Sequence, residues 1–249
     1  NSGRPALVGS SESAWSCAQL ARTRSLSLSL SLSDHPPPLR APSRDDSHRL
    51  FSACAQPQLM TLMSTELANE QQALHNRQQA GLILKNTIKS DVDIPNTNPP
   101  QRGKAWMALV GPAEKAAIKQ AVLACLGSPI SQGRHTAAQV VAAIGILELP
   151  QNQWPELIQG LVSNVTQSGN DFLKQSSLEA IGFICEEVDP AVLSTQGHVI
   201  LTAVIQGMRK EETNLEVRLA GTTALSNALE FVKSNFETEA ERNYIMQTV

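Results

Sequence analysis

A short pattern returns three times in this sequence and dictates how the rest must be read. It appears as "VVAAIGILELP" (140–150), "SLEAIGFICEEVDP" (177–190) and "GTTALSNALEFV" (221–232). Ala143-Ile144-Gly145, Ala180-Ile181-Gly182 and Ala224-Leu225-Ser226 superpose at offsets of 37 and 44 residues. Those offsets lie at or within a few residues of the helix-pair repeat length of about 40–47 residues. A chain built this way has no single core to fold around. Each amphipathic helix is too short to be stable alone and must be stacked on its neighbours.

The tracts between the repeats agree. Helical spacing of apolar residues marks 56–70, 73–90, 113–127, 136–150, 152–166, 171–190, 198–212, 215–236 and 239–249. "WPELIQGLV" and "VILTAVIQGM" form a second, looser family lying between the repeated cores. Gly127 falls where a helix C′ residue is expected. Pro155 stands near the first turn of its helix, where a missing N–H costs nothing, with Glu156 behind it. "DVDIPNTNPPQRG" (91–103) is rich in Pro, Asn and Asp and reads as a loop. No segment reads as a strand, so the expected fold is all-α. Ala180 and Gly182 are read as small residues that let neighbouring helix backbones approach. A helix-interior glycine costs about 1 kcal/mol relative to Ala, and close packing compensates for it. Trp106 and Trp154 are read as packing anchors.

Composition excludes several functional classes. Net charge is −3, so nothing in the total favours nucleic acid. No run of eighteen apolar residues exists, so no helical membrane span is expected. Cys17, Cys54, Cys125 and Cys185 are far apart and form no CxxC pair. They are read as free thiols in a reducing compartment. The five histidines are scattered, and no His/Cys spacing fits a metal. Phosphate-loop, dinucleotide, hydrolase-elbow and zincin motifs are absent. The expectation is a binding protein without cofactors, not an enzyme. The sequon "NVT" (164–166) lies inside a predicted helix and is discounted.

The first 54 residues differ from the rest. "RSLSLSLSLS" (24–33) alternates strictly, as a simple dinucleotide tract in DNA translates. Residues 1–54 are therefore read as a disordered or artefactual low-complexity head, and 55–249 as the repeat region, incomplete at both ends.

Four blocks carry a family resemblance: "RQQAGLILKNTI" (77–88), "NQWPELIQGLVSNV" (152–165), "LEAIGFICEEVDP" (178–190) and "ILTAVIQGMRKEE" (200–212). In this order they resemble the amino-terminal HEAT repeats of the importin-β (karyopherin-β) family of nuclear import receptors. The resemblance covers about residue 55 to the end. It implies a HEAT-repeat α-solenoid, a right-handed superhelix of antiparallel helix pairs, in the cytoplasm, the nucleus and at the nuclear pore. It implies Ran-GTP binding on the inner face through Lys85, Asn86, Glu186, Glu187 and Asp189. It implies Phe-Gly nucleoporin binding on the outer face through Leu201, Thr202, Ile205, Glu241 and Tyr244. Importin-α or cargo would bind only through repeats missing here, with no nucleic-acid or membrane partner. Two departures stand out: the family's first repeat is replaced by the Ser/Leu/Pro head, and the many later repeats are absent.

The residues alone leave plainer readings open. Glu186, Glu187 and Asp189 could be a solvated helix end, although acids near a helix C-terminus are opposed by its dipole. Asp189-Pro190 could also start the next helix. Leu201 and Ile205 could be core. A different HEAT or armadillo scaffold, a phosphatase or trafficking adaptor, would bind neither partner.

Overall fold

The computed structural model describes residues 56–94, 96–237, 239, 242 and 243. The expected head, residues 1–54, lies outside the described residues. From Pro57 to Glu237 the chain is a stack of antiparallel helix pairs, as the repeat demands. The first helices of the pairs are α1 (Pro57–Ala68), α4 (Pro112–Cys125), α6 (Leu157–Gln167) and α9 (Gly197–Met208). The second helices are α2 (Leu74–Lys89), α5 (Ser131–Glu148), α7 (Asp171–Glu187) and α10 (Leu215–Glu237). Short helices α3 (Ala105–Leu109) and α8 (Pro190–Leu193) lie in the connections. The second helices pack in chain order, α2 on α5, α5 on α7 and α7 on α10.

Local chemistry sets the helix starts. Pro57 and Pro112 occupy the first turns of α1 and α4. The Asn170 side chain accepts from the Phe172 and Leu173 backbone N–H groups, and Asn214 does the same for Glu216 and Val217. The fourth residue of α2, α5 and α7 is basic: Arg77, Arg134 and Lys174. Arg77 and Arg134 bond to the connection that precedes their own helix, while Lys174 pairs with Asp171 of its own first turn and with Glu212 ahead of α10. Arg77 is fully buried and grips Glu70 with two parallel bonds of 2.8 and 2.9 Å while donating to the Leu67 carbonyl at 2.9 Å. Arg134 donates to the Pro129 carbonyl at 3.1 Å and to Gln175 at 2.8 Å.

Close packing at Gly182 is as expected. A Cβ there would lie 3.2 Å from the Ala224 Cα, so α7 and α10 meet backbone to backbone. Ala180, Ile181 and Ala224 are buried beside it. Trp106 and Trp154 are both buried, as anchors should be.

Several expectations need correction. The stretch 91–103 is not all loop: Asp91–Ile94 pairs antiparallel with Gln101–Lys104 as a hairpin, β1 and β2. Val92 is buried while Asp91 and Asp93 face outward, the period of two that a half-buried strand requires. Asp91–Lys104 and Asp93–Arg102 ion pairs link the strands. Helix α5 begins at Ser131, five residues before the apolar pattern suggested. Pro155 precedes its helix rather than sitting in the first turn, which opens at Leu157 after a left-handed Asn152 with φ 53°. Gly127 does follow α4, but its φ is not positive, so the helix closes without a left-handed glycine cap.

Candidate functional site

Helices α2 and α7 flank α5, and their C-terminal ends meet over it. Lys89 Nζ on α2 donates to both Glu187 carboxylate oxygens on α7, at 2.7 and 2.6 Å. Lys85, one turn back, donates to Gln139 Oε1 on α5 at 2.8 Å. Asn86 and Glu186 are exposed beside them. The structure therefore ties the end of α2, which carries Lys85, Asn86 and Lys89, to the end of α7, which carries Glu186 and Glu187, through the Lys89–Glu187 bridge, and this bridged pair of helix ends is a mixed-charge ridge. Lys89 is the member that sequence reasoning passed over. Its signal was available: it lies four residues from Lys85, on the same helical face.

Two of the three acids have local work. Asp189 accepts from the Ala191 backbone N–H at 2.9 Å and caps α8, so Asp189-Pro190 does start the next helix. Glu187 is neutralised by Lys89, which answers the unfavourable dipole at the end of α7. Both Lys89 and Glu187 stay substantially exposed, so their bridge holds by about 1 kcal/mol or less and opens readily to a partner.

Behind the ridge a polar relay crosses the layer. Gln139 Nε2 lies 2.9 Å from His135 Nε2, and His135 Nδ1 lies 2.8 Å from Glu179 Oε2 on α7. Gln175 donates to the other Glu179 oxygen at 3.0 Å. The Glu179 hydrogen bond raises the His135 pKa above its ordinary value of 6.5, against the opposing effects of burial and of Lys85. The His135 ring meets Phe183 edge-on, centroids 5.7 Å apart. His135, Gln175, Glu179 and Phe183 wall a groove of about 220 Å³, with Leu219 and Glu216 of α10 on its far side. No sequence signal pointed to Gln139, His135 and Glu179 as a set.

The outer candidate site is only half in view. Leu201 and Ile205 on α9 are 5% and 1% exposed and form part of the core. Thr202, between them and partly exposed, donates to the His198 carbonyl at 2.8 Å. Glu241 and Tyr244 lie outside the described residues. Asn164 of the sequon sits in α6 and donates to Ser177 at 3.2 Å. Among the described residues no group of three His, Cys, Asp or Glu could hold a metal ion. No described helix is long and apolar enough to cross a membrane. Cys125 and Cys185 are free and buried, and burial pushes the Cys185 thiol up to about 12.

Residues 48–128 match the family model of the importin-beta N-terminal domain. Over that stretch the chain is similar to importin-β N-terminal domains. It is homologous to importin subunit beta-1 of Schizosaccharomyces pombe, at 48% identity over 77% of this chain and 22% of the relative. A solved structure described as a Kap95:Nup1 complex matches at 35% identity and TM-score 0.65, over 84% of this chain and 25% of that one. A structure of Kap95p whose binding switches the loops of RanGDP to the GTP-bound conformation matches at 33% identity and TM-score 0.69, again over 84% and 25%. The chain thus spans about a fifth to a quarter of the importin-β proteins it matches. The N-terminal domain match contains α1 to α4 and the hairpin, so it supplies Lys85, Asn86 and Lys89. The acidic half of the ridge lies beyond it on α7.

Proposed function

We propose that this chain is part of a nuclear import receptor, a binding protein with no catalytic step. It engages Ran in its GTP state through the ridge of Lys85, Asn86, Glu186 and Glu187, with Lys89 as an added member. Asp189 contributes by fixing the turn that follows. The observation that carries the proposal is the meeting of α2 and α7 over α5, in a chain homologous to importin subunit beta-1. That arrangement presents two ammonium groups and two carboxylates to a single partner surface. A structural neighbour described with Ran supports the same reading. Phe-Gly nucleoporins dock beside α9, where Thr202 is the accessible member of the set and Leu201 and Ile205 form the floor. Glu241 and Tyr244, outside the described residues, complete the proposed set. Burying one Phe side chain there contributes about 1.5–3 kcal/mol, which suits brief, repeated contacts. The protein works in the cytoplasm and nucleus and at the pore, and cargo or importin-α binds through repeats beyond this stretch.

The experiment is binding of the full chain to Ran loaded with GTP and, in parallel, with GDP. A clear preference for the GTP form is expected. K85A and E186A should each weaken binding about tenfold, the loss of one charge-assisted hydrogen bond. If the full chain binds neither form of Ran, or binds both equally, the proposal fails.

A further inference from the structure

The relay behind Lys85 has only one arrangement of protons that satisfies every contact. A lysine ammonium can only donate, so the Gln139 atom facing Lys85 must be the amide oxygen. The Gln139 NH₂ group then faces His135, so His135 Nε2 must accept. The imidazole proton therefore sits on Nδ1 and is donated to Glu179 Oε2. Beyond it Glu179 accepts from Gln175, and Gln175 accepts from Arg134 at 2.8 Å. Every member takes its direction from its neighbour, across α2, α5 and α7.

We propose that Gln139 and His135 are positioning residues for Lys85: neutral His135 holds the Gln139 amide with its oxygen toward α2, and that oxygen presents the Lys85 ammonium to the partner in a fixed orientation. This rests on the reading that Lys85 contacts Ran-GTP. Held by one of its three N–H groups, Lys85 keeps two for the partner and has already lost the rotamer freedom that binding would otherwise remove. A second proton on His135 turns Nε2 into a donor. The Gln139 amide must then rotate to offer its oxygen to the ring, which turns its NH₂ group on the ammonium. Lys85 is released, and positioning is lost.

The groups around the imidazole decide the direction of the pH effect. From α2 it faces Lys85; from α7, Glu179, Phe183 and Gln175; from α10, Glu216 across the groove; and on its own helix, Arg134 and Gln139. The Glu179 contact favours the imidazolium and raises the midpoint above 6.5. Presentation of Lys85 is therefore complete well above that midpoint and fades as pH falls through it.

The test has two readouts on the full chain. By NMR, the Lys85 Cε and Gln139 side-chain amide signals are followed from pH 8.5 to 5.5 together with the His135 ring nitrogens. The expected result is one shared midpoint, with the Nδ1–H tautomer at high pH. Lys85 and Gln139 signals that ignore the His135 titration overturn the proposal, whether or not Ran binds. Ran-GTP affinity is then measured over the same range. Wild type should lose about two- to tenfold on acidification, H135Q should flatten the profile, and Q139L should bind weakly throughout. A profile that H135Q leaves unchanged also overturns the proposal. Failure of wild type to bind Ran-GTP at any pH, with a shared NMR midpoint, instead overturns the reading of Lys85 as a Ran contact and leaves the relay standing.

Discussion

At the scale of the residue, two glycines in similar helical settings should answer substitution in opposite ways. Gly182 on α7 faces the α10 backbone at 3.2 Å, whereas Gly160 on α6 has nothing within 4 Å of an added Cβ. Gly160→Ala removes a helix-interior glycine without a clash and should stabilise the chain by about 1 kcal/mol. Gly182→Val drives a branched side chain into Ala224 and should cost about 1–3 kcal/mol. Urea midpoints of the two variants check this, and a Gly182→Val protein as stable as wild type would remove the close-packing explanation. The repeated Ala-Ile-Gly pattern made that contact legible before any coordinates, because small residues on a buried helical stripe have few other uses. The proposed ridge was legible only through family resemblance. Lys89 and Glu187 are 98 residues apart, and only the stacking of three helices brings them together. The plain chemistry of Asp189 as a cap was readable from Asp-Pro alone, and the structure confirms that use.

At the scale of the element, one buried carboxylate ties three helices together. Glu148 at the end of α5 is 1% exposed. It accepts from the Trp106 indole on α3 at 2.9 Å and pairs with Lys115 at 3.6 Å and with Lys119, both on α4. The lysines in turn lie over the Trp106 and Trp154 rings, at 5.4 and 4.5 Å. Glu148→Leu leaves two poorly exposed ammonium groups without their counter-ion and should cost about 3–5 kcal/mol. Glu148→Gln keeps an acceptor for Trp106 and should cost less. A thermal melt distinguishes them, and equal losses would show that the charge is idle. Sequence reading passed Glu148 over, although it lies four residues from Ile144 and seven from Val141, an acid at helical spacing on an apolar stripe. The helices themselves were legible from apolar spacing, to within a few residues at most ends. The hairpin was not. Four-residue strands leave almost no periodic signal, and the intervening Pro and Asn dominate the reading. Likewise α5 starts early because Gly133 and Arg134 are buried by neighbours rather than by their own hydrophobicity.

At the scale of the whole molecule, stability is carried along the stack by neighbour contacts, and its pH dependence follows from where the ion pairs sit. Burial alone would raise the Glu70 pKa, but the Ser128 hydrogen bond and Arg77 together hold it below 4.5. The Asn214 hydrogen bond, with Lys174, holds Asp171 below 3.8. Both carboxylates bridge repeats: Arg77 also reaches Ser128 at 3.2 Å, and Asn214 links Asp171 to the start of α10. A depressed carboxylate contributes stability that is complete above its unfolded value and is lost as pH falls through the folded one. His135 has the opposite sign, since its raised value contributes fully below 6.5 and fades as pH climbs past the folded midpoint. Stability should therefore be highest between about pH 5 and 6.5, fall slightly toward pH 8, and fall modestly below pH 4 as these two carboxylates protonate. Glu70 is 45% exposed, so screening limits its share of the acid loss to about 1 kcal/mol or less. Urea midpoints measured from pH 2.5 to 8.5 give the profile. E70Q cannot ionise, so it should start lower at neutral pH, with Arg77 left charged in the core, and then lose less than wild type on acidification. An E70Q profile parallel to wild type would show that the Arg77–Glu70 clamp holds its connection by geometry alone. The acid limb would then belong to Asp171 and the α7–α10 joint.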